Sequence, residues 1–293
     1  RCGGGVPGTA VFGTKGGISG VIAPALTRHD IATALRARHT FASTGERSFG
    51  LTRCGDHIMG DEFDHHGPAN IEYRFLGDAG WDEIVAYDHT GVIWRRDLQQ
   101  ELGLSERKIR LRWGGARIKD RYRWAAWNGT ITITDAVINN YTARGFEHLE
   151  ETCWRHNATQ IGFRSDTYGD VDAIEIDVSH LKTAKIRVAG TIDGYVKVGD
   201  PLKGNPFVHC PAFEWEITGA ELLESLKLKK DLPGVDMFLA LERMSDAPAP
   251  RDVSGQIEIG PKNGPHGHRP VYFLARQIDD AKVWTSAMFI AFK

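Results

Sequence analysis

Residues 121–134 read RYRWAAWNGTITIT. Ile131 and Ile133 alternate with threonines, and a repeat of two belongs to a half-buried β-strand rather than to a helix. Asn128-Gly129 sits inside this run, and that dipeptide between β-like runs predicts a tight hairpin turn. The same alternation extends in both directions. Ile71, Tyr73 and Phe75 alternate in ANIEYRFLG, Ile109, Leu111 and Trp113 in RKIRLRWGG, and Ile174, Ile176 and Val178 after the polar turn SDTYGD. Ile186 and Val188, then Met237, Leu239 and Leu241, then Ile257 and Ile259 continue it. EIVAYDHTGVIW reads as a hairpin turning at residues 88–91, and VYFLARQI and VWTSAMFIAF close the series. Short alternating runs with turns roughly every 8–15 residues predict a mainly β chain, an antiparallel β-sandwich.

Two segments break the pattern. Thr218 and Glu221 form a T-x-x-E capping box ahead of Leu222, Leu223 and Leu226, which predicts one inserted helix near 218–231, ended by Asp-Leu-Pro-Gly at 231–234. At the other end, residues 1–20 are glycine-rich, GVIAPAL suits a strand end, and Thr27 with Asp30 three residues on caps a helix through Ile31, Ala34, Leu35 and Arg38, stopping at Gly45. Residues 17–45 thus read as one strand followed by one helix, an α/β unit without partners downstream to bury it. The expected boundary divides 1–45 from a β-domain over 46–293. An unpaired strand and an exposed helix face predict self-association.

The composition bounds the function. In 293 residues, 41% are hydrophobic and 25% charged, with 36 Lys plus Arg against 38 Asp plus Glu. A net charge of −2 argues against a general nucleic-acid binder or a polybasic membrane binder. No apolar run approaches the ~20 residues of a membrane helix, and no signal-peptide pattern opens the chain. Cys2, Cys54, Cys153 and Cys210 are scattered without a C-x-x-C pair, which reads as free thiols in a reducing cytoplasm. The chain begins with Arg1, which reads as a processed chain or a piece of a longer one.

Several clusters invite chemistry. The opening glycines lack G-x-x-x-x-G-K-S/T and read as a crossing loop. Asp61, Glu62, Asp64, His65 and His66 in DEFDHH are ligand types for a divalent ion, set against a solvated acidic loop. His266 and His268 form H-x-H in a Pro/Gly-rich loop. Asp166, Asp170, Asp172 and Asp177 have calcium-loop spacing only in part, with no closing Glu. No G-x-S-x-G elbow occurs. Trp113, Trp124 and Trp127 interleave with Arg112, Arg117, Arg121 and Arg123. Arg112, Trp113, Arg121, Trp124 and Trp127 are therefore candidates to face a sugar or aromatic ligand. The competing reading places the tryptophans in a sandwich core and the arginines on the opposite face.

Longer segments carry a resemblance. Gly16 to Val21, Leu26-Thr27-Arg28 and Ala34 to Gly45 resemble the G-G-L/I-T-x-V strand, L-T-R and A-L-R-x-R-x-x-Y/F-A-S/T-T-G helix end that close the barrel in a bacterial branch of the polymerase-and-histidinol-phosphatase (PHP) metallohydrolases. Ser19 and Gly20 depart from that pattern. MGDEF at 59–63, residues 110–129, SDTYGD at 165–170 and DDAKVWTSAMFIAF at 279–292 are similar to the β-rich region that follows the barrel, although Ala287 stands where the family usually has Pro. The resemblance implies a parent barrel that holds divalent zinc, manganese or iron and cleaves ester or phosphoester bonds of a small-molecule substrate. It places the ligand motifs, S-D-x-H last among them, upstream of Arg1. It therefore implies no catalytic residue, metal ligand or cofactor in this chain, and the missing N-terminal barrel as its partner. A stand-alone β-sandwich module for a ligand or carbohydrate is the alternative, and a separate site around Asp61, Asp64, His65 and His66 is a third reading.

Overall fold

The computed structural model describes residues 17–44, 47–115, 125–147, 149–194, 210–234 and 236–293. Alternation becomes strand along most of this length, and the described residues are mainly β, in several largely antiparallel sheets. The chain divides into two units. Of the described residues, one unit joins 17–101 with Pro248–Lys293, and the other is Leu102–Ala247. This division differs from the expected 1–45 and 46–293, because residues 17–44 share a sheet with the chain's last strands.

In the first unit that sheet runs Ile18–Val21, Thr40–Ser43, Lys282–Thr285, Arg269–Gln277, Met288–Phe292, Glu62–His65, with Trp81–Asp88 and Gly91–Asp97 branching from Arg269–Gln277. The hairpin expected at residues 88–91 forms, and Asp88 Oδ1 accepts from the Thr90 amide at 2.7 Å. The second sheet orders Asp252–Ile259, Ala69–Leu76, Phe49–Cys54 and His57–Ile58. Ile71, Phe75, Val253 and Ile257 share one core with Ile84, Val271, Phe273 and Ala275.

Residues 17–44 fold differently from expectation. Thr27 caps the helix Arg28–Arg36, as its spacing with Asp30 predicts. The helix stops early. Arg38 takes the left-handed conformation (φ 60°), and Thr40–Ser43 returns as a strand antiparallel to Ile18–Val21, with Ile18 opposite Ser43. The first strand is therefore paired, not orphaned, and Lys282–Thr285 continues the sheet beyond Thr40–Ser43. No local signal marks four residues, TFAS, as strand; one of their two partner strands lies at the far end of the chain.

The second unit is a sandwich of two five-stranded antiparallel sheets among the described residues. Thr152–Asn157, Gln160–Thr167, Ala125–Thr134, Lys185–Gly194 and Cys210–Thr218 form one, and Ile138–Arg144, Val171–Val178, Leu104–Gly114, Phe238–Ser245 and Lys227–Asp231 the other. Ile109, Leu111 and Trp113 bury against the same core as Trp127, Ile131 and Ile133. Asn128-Gly129 is not a turn. It lies mid-strand, paired on both sides, with Asn128 opposite Arg164 and Thr191. The glycine answers a packing need: a Cβ there would lie 2.6 Å from Phe163 Cζ. The expected helix near 218–231 is also shorter. Its capping box forms, but it spans Gly219–Glu224, after which extended Ser225 leads into the strand Lys227–Asp231. Lys-Leu-Lys alternates there, turning Leu228 onto the core.

Candidate functional site

Three segments distant in sequence, around Arg38–Thr40, Gly60–Asp61 and Ser286–Phe289, meet in the first unit. Arg38 donates through Nε and Nη2 to the Gly60 carbonyl, at 3.1 and 2.9 Å, and lays its guanidinium 5.1 Å from the Phe289 ring centre. Gly60 N donates to Ala287 O, Phe289 N to Asp61 O and Ser286 N to Thr40 O, at 3.0, 2.9 and 3.0 Å. Gly60 must be glycine twice over: its φ is +99°, and a Cβ would lie 2.4 Å from Arg38 O.

This scaffold presents a His–Asp pair. His39 Nε2 lies 2.7 Å from Asp61 Oδ1. The Ile58 amide donates to Asp61 Oδ2 at 2.9 Å, and His57 Nδ1 lies 3.8 Å from the same oxygen. His57 is held by stacking on Phe63, with ring centres 4.0 Å apart and planes 5° from parallel. Burial alone would raise the Asp61 carboxyl. The His39 hydrogen bond, the Ile58 amide and the charges of His39 and His57 outweigh it and hold the carboxyl below its ordinary value. The His39 and Asp61 side chains are 23% and 27% exposed, so the pair is within reach of solvent. Around it stand Glu62, 3.2 Å from His268 Nε2, and Arg38, 4.0 Å from Glu62. A carboxylate that orients an imidazole suits it to hold or pass a proton through the other ring nitrogen.

The ligand-type residues of the sequence do not converge. Along Glu62–His65 successive side chains point to opposite faces. Asp64 pairs with Lys293 at 3.4 Å, His65 Nε2 meets the Pro68 carbonyl at 3.1 Å, and His66 is exposed. Asp61 instead finds its histidine 22 positions away. His266 and His268 do not act together: His268 turns to Glu62, and His266 sits at φ 64°. Asp177 pairs with Arg107 at 3.2 Å, at the other end of Val171–Val178 from Asp170 and Asp172. Among the described residues no three of His, Cys, Asp and Glu are grouped to hold a metal ion.

The tryptophan–arginine cluster separates in the same way. Trp113 and Trp127 are fully buried rather than ligand-facing. Their indole N–H groups donate to Ser165 Oγ at 2.7 Å and Thr167 Oγ1 at 2.9 Å. Arg112 lies on the opposite face, where it and Arg110 donate to Glu242 at 3.1 and 2.9 Å and Lys227 joins at 2.8 Å. Strand alternation thus splits R-L-R-W between core and outer face. Arg121 and Trp124 lie outside the described residues. Among the described residues of this unit the exposed indole is that of Trp154, 36% exposed, which the sequence does not single out because it stands apart from the other tryptophans in an edge strand.

Among the described residues, no helix is long and apolar enough to cross a membrane. Cys54 and Cys153 are free thiols. No family model matches the chain, and no curated protein matches it.

Proposed function

We propose that this chain is the C-terminal, β-rich part of a PHP-like metal-dependent hydrolase, and that its own role is architectural. In this reading a barrel encoded upstream of Arg1 holds the divalent ions and cleaves an ester or phosphoester of a small molecule. This chain supplies the accessory β-rich region, residues 17–44 included, since they share a sheet with its last strands. The observation that supports the reading is the meeting of distant segments at His39 and Asp61. The motif residues at 38–40, 60–61 and 286–289 are separated widely in sequence, yet they are knitted together by main-chain hydrogen bonds and by the Arg38 guanidinium on the Gly60 carbonyl. That these motifs fold into one element supports the reading against chance matches of short patterns.

No hydrolytic step is assigned to the described side chains. Reading the coding sequence upstream of Arg1 tests the proposal directly, with H-x-H and S-D-x-H motifs expected in the same frame. The longer protein, loaded with manganese or zinc, should hydrolyse bis(p-nitrophenyl) phosphate or a p-nitrophenyl ester. The 293-residue chain should not. Turnover by the chain on its own, or an upstream frame without those motifs, refutes the reading.

A further inference from the structure

The outer face of one sheet in the second unit carries an arrangement that the metallohydrolase reading leaves unused. Thr152–Asn157 ends the order of that sheet and pairs with Gln160–Thr167, so that Trp154 stands directly opposite Gly162. The indole lies flat over the glycine: a Cβ at Gly162 would fall 2.4 Å from Trp154 Cε2. Trp154 Nε1 donates to His156 Nε2 at 3.0 Å, and the two rings meet edge to face at 73°. One face of the ring is thus seated on the sheet, its edge is fixed by a histidine, and the residue remains 36% exposed.

The neighbouring strands continue this surface with polar side chains. Gly162 pairs with Thr130 and Thr130 with Ala189, while Asn128 lies opposite Arg164 and Thr132 opposite Gln160. Asn128 and Arg164 are exposed. Gln160 Nε2 donates to Thr132 Oγ1 at 3.1 Å, and Arg164 Nη2 to Glu150 at 3.2 Å. From Trp154 to Thr130 is two strand spacings, ~10 Å. The surface therefore offers a rigid aromatic platform beside amide, hydroxyl and guanidinium groups that both donate and accept.

We propose that this face binds carbohydrate, with a pyranose ring stacked on Trp154 and its hydroxyls held by Asn128, Thr130 and Arg164. A sugar ring joins an apolar C–H face to a rim of hydroxyls, and both halves of that chemistry are met here. An aromatic ring already held flat loses little freedom on binding. A nucleobase also stacks on indole, but a polyanion gains little from a chain of net charge −2 with Glu150 beside the arginine.

Isothermal titration of the whole chain with cellohexaose, xylohexaose, chitohexaose and maltohexaose tests this, with oligothymidylate as the competing class. At least one glycan should bind with Kd below about 1 mM. Trp154→Ala should weaken it at least about tenfold, and Asn128→Ala several-fold. Trp154 also covers Gly162, so Asn128→Ala and Arg164→Ala, which leave that contact in place, decide the matter if Trp154→Ala unfolds. No heat from any of the four glycans overturns the proposal. So does unchanged affinity in the folded Trp154→Ala protein, or in both Asn128→Ala and Arg164→Ala, or binding of oligothymidylate alone. The surface belongs to the second unit, so its failure leaves the metallohydrolase reading standing.

Discussion

Removing the Asp61 carboxylate should loosen the first unit at the point where its distant segments join. In Asp61→Ala three interactions go: the 2.7 Å bond to His39, the 2.9 Å bond from the Ile58 amide and the 3.8 Å approach of His57. A hydrogen bond to a charged group contributes about 1.5–3 kcal/mol and a neutral one about 1. The pair is about a quarter exposed, so solvent screens its charge and the lower end applies. The expected loss is ~2–3 kcal/mol, read as a fall of roughly 5–10 °C in the first unit's melting transition. A double-mutant cycle with His39→Ala isolates the pair, and its coupling should be ~1 kcal/mol. The dependence on pH follows from the depressed carboxyl. The Asp61 contribution is fully present above its unfolded value of about 4 and is lost as pH falls through the lower folded value. Asp61→Asn should therefore flatten the acid limb of the stability curve measured by chemical denaturation between about pH 5 and pH 2. A coupling below about 0.3 kcal/mol, or an acid limb identical to wild type, would refute the reasoning.

The second unit offers sharper packing tests. Gly129→Ala drives a methyl to 2.6 Å from Phe163 Cζ and should cost about 1–3 kcal/mol by thermal melting, whereas a turn at Asn128-Gly129 would tolerate it. Glu242→Leu removes the buried carboxylate that Arg110, Arg112 and Lys227 share and should cost about 3–5 kcal/mol, while Lys227→Met, at the exposed end of the network, should cost far less. Thr218→Ala breaks the capping box and should cost about 1 kcal/mol, seen as a small shift in denaturant midpoint. Burial pushes the Cys153 thiol up to about 12, and burial with Glu72 nearby raises Cys54. Peptide mapping after iodoacetamide at pH 8 should therefore find both unlabelled in the native protein and labelled in guanidinium, and native labelling at either would count against the described packing.

What the sequence makes legible is whatever a side chain settles with its immediate neighbours. Ile109, Leu111 and Trp113 alternate and all three are fully buried; Thr218 and Glu221 cap a helix because both partners of the cap lie within one turn. What depends on a distant partner is hidden. TFAS is strand because Val283 and Trp284 lie alongside it, and Asn128-Gly129 is strand because pairing on both sides outweighs the local taste of Asn-Gly for a turn. The candidate site obeys the same division. DEFDHH concentrates ligand-type residues, but consecutive strand positions point apart, so concentration in sequence becomes dispersal in space. His39 and Asp61 carry no mutual signal, since their meeting depends on the left-handed turn at Arg38 and on Gly60 admitting its carbonyl. Trp154 extends the point to surfaces. The three tryptophans that draw the eye are grouped, and the two described are core. Among the described residues the exposed indole is that of Trp154, and only the glycine opposite it on the next strand shows why it lies flat.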